Sequence, residues 1–77
     1  MLVSTKGDTG MEITLKAARI NAGYDQKTAA DKLGITRDTL GSWESSNTFP
    51  NVPQIKKIES LYGVRYSDIN FLVKNSV

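Results

Sequence analysis

The sequence predicts an all-α fold: a compact domain of five short helices behind a flexible N-terminal tail. Three observations carry that prediction. From residue 12 onward apolar residues recur at spacings of three and four, the period of a helix with one buried side. Asp25, Thr36 and Asn51 each stand where a side-chain oxygen can cap the free amides of a first turn. Three segments then stop in one way, with glycine before an apolar residue: Gly23-Tyr24, Gly34-Ile35 and Gly63-Val64. No strand alternation, repeat or low-complexity tract interrupts this pattern.

Residues 1–11 are expected to form the tail and residues 12–74 the domain. The opening MLVSTKGDTG has no helical periodicity and two glycines, which suits a flexible tail or a single extended strand, with Met11 as an alternative start. An arm reaching a DNA minor groove is the rival reading, and its lone Lys6 supports it poorly. The first helix is expected from Glu12 or Thr14 to Ala22, with Ile13, Leu15, Ala18 and Ala22 inward. Asp25 caps the second, where Ala29, Ala30 and Leu33 make a buried stripe up to Gly34. Thr36 caps the third, Ile35 and Leu40 form a staple across its start, and Leu40 and Trp43 face the core. After the turn-forming SSNTFPN, Asn51 caps a fourth helix that tolerates Pro53 in its first turn. Its inward positions are Val52, Ile55, Ile58, Leu61 and Tyr62. A short fifth helix, about 67–73, would add Ile69, Phe71 and Leu72.

Composition sets limits on function. A chain of 77 residues supports one small core, burying about 60% of the surface its unfolded chain exposes. With neither Cys nor His, it lacks thiolate nucleophiles, disulfides and the usual zinc ligands, and its scattered carboxylates form no acid and base pair. No enzyme chemistry, cofactor, metal or small-molecule ligand is expected. No apolar run approaches the ~18 residues of a membrane span, so a cytoplasmic protein is expected. The net charge of +2 is unevenly placed. Between Glu12 and Ser46, Lys16, Arg19, Lys27, Lys32 and Arg37 are balanced by Glu12, Asp25, Asp31, Asp38 and Glu44. Any grip on phosphates must therefore lean on amides, caps and neutral side chains.

The stretch YDQKTAADKLGITRDTLGSWE, Tyr24 to Glu44, reads as two capped helices joined at a glycine turn. With LKAAR before it, Pro50 after it and then IKKIESLYGV, it resembles the helix-turn-helix family of phage repressor and Cro proteins. These are also called xenobiotic-response-element regulators, and the resemblance runs from about Leu15 to Leu72. It implies a lambda-repressor-like DNA-binding domain of bacterial or phage origin, with its helix-turn-helix at residues 25–44.

The resemblance also implies roles. Gln26 would bond a DNA phosphate and brace the first side chain of the recognition helix. Arg37, Asp38 and Ser42 take the base-reading positions, since only the first turns of a tilted helix reach base edges. Arginine suits guanine, where its fork meets two acceptors for about 1–3 kcal/mol of discrimination. Asp38 either accepts from a cytosine amine or serves the helix dipole. Gly41 departs from the family's long polar residue, so either the backbone approaches DNA closely there or the helix reads fewer bases. Thr36, Thr39, Asn47 and Lys56 are further phosphate candidates. Arg19 and Glu44 match a structural salt bridge between the first helix and the end of the third.

The expected function is that of a sequence-specific transcriptional regulator, a phage or prophage repressor on a palindromic operator. Double-stranded DNA is the partner, bound by a homodimer joined through Phe71, Leu72, Val73 and Phe49. The alternative is a protein-interaction module, such as the antitoxin of a toxin-antitoxin pair.

Overall fold

The computed structural model describes residues 12–71. In chain order they form strand β1 (Ile13–Thr14), helices α1 (Leu15–Asn21), α2 (Gln26–Leu33), α3 (Arg37–Glu44) and α4 (Val52–Tyr62), a 3-10 turn (Tyr66–Asp68) and strand β2 (Ile69–Asn70). Each α-helix begins on a side-chain cap. Thr14, Asp25, Thr36 and Asn51 accept from the backbone N–H of Ala17, Thr28, Thr39 and Gln54 respectively. At α4 the cap is reciprocal: Gln54 Oε1 accepts the Asn51 N–H at 2.8 Å while Asn51 Oδ1 accepts the Gln54 N–H at 2.9 Å.

The helix stops share a mechanism. Gly34 and Gly63 lie at φ +74° and +70°, left-handed values that a side chain disfavours. The N–H of the following residue then folds back, Ile35 to the Ala30 carbonyl at 3.0 Å and Val64 to that of Glu59 at 3.3 Å. Gly23 and Tyr24 repeat the arrangement after α1, where the Tyr24 N–H reaches the Arg19 carbonyl.

The core sits where α1, α2, α3 and α4 meet. Leu15 and Ala18, then Ala29, Ala30 and Leu33, then Leu40 and Trp43, then Ile58 and Tyr62 are all buried, and Ile69 closes the cluster. Tyr62 stacks at a tilt on Tyr24, 6.3 Å between ring centres.

Three expectations need correction. The described residues hold four α-helices rather than five, and the segment expected as the last helix is the 3-10 turn followed by β2. Arg65, at the start of that turn, offers no side-chain cap of the kind that opens each of the four α-helices, and the Tyr66 N–H is taken by the Glu59 carboxylate of α4 instead. Ile69 and Asn70 instead pair in parallel with Ile13 and Thr14, which makes the fold mostly helical rather than wholly so and removes Ile13 from the first helix. Val52 is the third correction: it is 66% exposed, as the first residue of α4, whereas the buried residues Ile58 and Tyr62 lie in its later turns. The expected tail at residues 1–11 and the apolar Leu72 and Val73 lie outside the described residues.

Candidate nucleic-acid interface

A tight turn at Gly34 and Ile35 sets α3 against α2, with Leu40 fully buried between them and the core. The cap of α3 is doubly tied, since the Thr36 hydroxyl accepts the Thr39 N–H at 3.1 Å and donates to the Thr39 hydroxyl at 2.9 Å. Arg37 and Asp38 follow at once and both are exposed, so the first turn of α3 presents them to solvent. Asp38, in that turn, also complements the positive end of the helix. Lys57 from α4 brings its Nζ over the turn, 3.9 Å from where a side chain at Gly34 would begin.

Glu44 gathers the polar groups behind α3. Its Oε2 accepts from Arg19 Nε at 2.7 Å, and its Oε1 accepts from Arg19 Nη2 at 3.2 Å and from Gln26 Nε2 at 3.1 Å. Arg19 spends a third donor on the Tyr24 carbonyl at 3.0 Å. The Arg19–Glu44 pair thus links α1, the turn before α2, the first residue of α2 and the last residue of α3. The two charged side chains are 8% and 6% exposed, and the hydrogen bond to Glu44 holds the Arg19 guanidinium above its usual pKa against the opposing effect of burial.

Gln26 is thereby fixed from within the protein. Its amide lies beside Gly41, where an added Cβ would stand 3.6 Å from Gln26 Nε2. Lys16, Arg19, Gln26, Gly41, Glu44 and Ser45 line one open cleft between α1, α2 and α3. Lys16 is the charged member that the sequence candidates do not include. The signal was present, because Lys16 lies three residues before Arg19 and so shares its side of α1.

The other candidates distribute as follows. The Ser42 hydroxyl shares a 2.9 Å hydrogen bond with Thr48, which leaves it a proton to donate, while the Ser42 carbonyl receives the Asn47 N–H at 2.9 Å. Asn47 itself is exposed on that turn. Before it, Ser46 is buried at φ +64° and donates its hydroxyl to the Phe71 carbonyl, fastening the end of α3 to the strand β2 segment. Lys56 is not part of the cleft. It lines a separate, mainly apolar groove with Val52, Ile55, Glu59 and Tyr66.

Four capped helices with a glycine turn between α2 and α3 define a class, and comparison with known proteins agrees. The chain belongs to the helix-turn-helix family, which it matches over residues 15–69. It is 36% identical over 62 residues to the SPbeta prophage-derived uncharacterized HTH-type transcriptional regulator YonR of Bacillus subtilis (strain 168), covering 80% of this chain and 55% of that protein. It is 42% identical over 50 residues to the HTH-type transcriptional regulator ImmR of the same organism, covering 65% of this chain and 39% of that one. The chain therefore spans about half the length, or less, of these relatives. No solved structure is significantly similar to it.

Proposed function

We propose that the chain is a sequence-specific DNA-binding transcriptional regulator of the phage or prophage repressor and Cro type. The observation that carries this reading is the exposed first turn of α3, with Arg37 and Asp38 outward, backed by a Gln26 amide fixed on Glu44. Membership of the helix-turn-helix family and the two relatives named as transcriptional regulators support it. In this reading α3 enters the major groove and Arg37, Asp38 and Ser42 meet base edges, with the backbone at Gly41 approaching closely. Gln26, Thr36, Thr39, Asn47 and Lys56 hold phosphates and set the register.

The operator is a palindrome read by two copies, with half-sites about 34 Å apart. A second copy suits the apolar surface formed by Phe49, Val52 and Tyr66, each more than half exposed, together with Phe71. Leu72 and Val73, just beyond the described residues, extend that apolar run in sequence.

Selection from a random duplex library tests both parts, because half-site symmetry reports the dimer and the recovered bases report specificity. On the selected duplex Arg37→Ala should cost about 1–3 kcal/mol and relax one base position. Gln26→Ala should weaken selected and random duplexes alike. Uniform losses for both variants would remove Arg37 from base reading. Absence of duplex binding at low salt would favour a protein-binding module instead.

A further inference from the structure

We propose that Lys16, which lies outside the helix-turn-helix, supplies the cation of a DNA phosphate seat in the cleft between α1 and α3. The inference rests on the DNA-binding reading and adds to it a residue and a place.

A cleft that contains a carboxylate is a poor place for a phosphate unless the negative charge is spent. Here it is spent. Glu44 accepts from three donors, two on Arg19 and one on Gln26, and Arg19 is consumed in the same pairing and on the Tyr24 carbonyl. The buried pair is neutral as a unit, so the sign of the cleft falls to its remaining charged lining residue, Lys16. Lys16 is exposed and forms no ion pair among the described residues, which leaves its ammonium available. Lys27, by contrast, lies 3.5 Å from Asp31 on its own helix.

Shape agrees with charge. Gly41 forms part of the cleft lining without a side chain, and even a Cβ there would reach van der Waals contact with the Gln26 amide. A long side chain at this position would occupy the mouth of the cleft. With glycine, a phosphate can approach between Lys16 and Gln26, one giving charge and the other an amide donor. The otherwise neutral α2–α3 region thereby gains a cation from α1, and the glycine that lets the α3 backbone approach DNA also leaves room for the phosphate.

The test is the salt dependence of duplex affinity, measured by fluorescence anisotropy on the selected duplex and on a random one. For Lys16→Gln the slope of log affinity against log salt should flatten by about 0.9, the share of one phosphate, with equal losses on both duplexes. Lys32→Gln, the same charge change on an exposed residue outside the cleft, should flatten it less. In a Gly41→Gln background, where the mouth is filled, Lys16→Gln should have no further effect. An unchanged slope for Lys16→Gln, an equal change for Lys32→Gln, or full additivity with Gly41→Gln would each overturn the seat while leaving DNA binding intact. Failure of the unaltered chain to bind either duplex at low salt would overturn the DNA-binding reading itself, and the seat with it.

Discussion

Around Glu44, polar side chains hold one another at 2.7–3.2 Å and leave little of themselves exposed, whereas around Phe49 and Tyr66 apolar side chains stand in solvent over a shallow groove. In the first region orientation is the product: Gln26 and α3 are aimed by hydrogen bonds that have few alternatives. In the second, uncovered area is the product, and area of that kind gains from a partner of similar character. On the proposed reading the first region aims α3 at DNA and the second meets the other copy.

The largest effect is expected at Glu44. Glu44→Ala strands the nearly buried Arg19 charge at the floor of the cleft, and a loss of about 3–5 kcal/mol in denaturant-derived stability is expected. A loss below 1 kcal/mol would mean that the pair is solvated in solution and does not set the geometry of the cleft. Gly41→Ala sharpens the contrast from the other side. Its Cβ would make only ordinary contact, so helix propensity should prevail and stability should rise by about 0.5–1 kcal/mol. A fall instead would show that the Gln26 amide cannot yield.

The smallest expected effect at neutral pH belongs to Tyr62→Phe. The Tyr62 hydroxyl is buried without a hydrogen-bond partner among the described residues, and burial, with Glu44 nearby, pushes its pKa up from 10.0 to about 12. The folded state keeps a proton that the unfolded state releases. Stability is therefore full below pH 10 and declines as pH rises toward 12, and the phenylalanine variant should lose that part of the decline. Identical alkaline profiles for the two proteins would place the hydroxyl in water.

What the sequence revealed and what it hid follow the same division. Caps at Asp25, Thr36 and Asn51, stops at Gly34 and Gly63, and the stripe of Ala29, Ala30 and Leu33 act over three to six residues, so a local pattern contains the whole cause. The pairing of Ile13 with Ile69 has no local cause. Two residues are too few to show alternation, and Ile69 at helical distance from its apolar neighbours reads equally well as part of a helix. The Arg19 and Glu44 positions were legible through family resemblance, but Lys16 and the hydrogen bond from Gln26 to Glu44 depend on how α1 lies across the other two helices, which no spacing within one helix encodes.

The parallel pairing of β1 with β2 also has a mechanical meaning. The chain enters the described domain at one end of this short ladder and leaves it at the other. Tension drawing the two flanking segments apart therefore loads the ladder in shear, its hydrogen bonds sharing the force together instead of opening one after another. Ser46 anchors Phe71 at the exit side of that ladder, so the same tension would be felt at the end of α3.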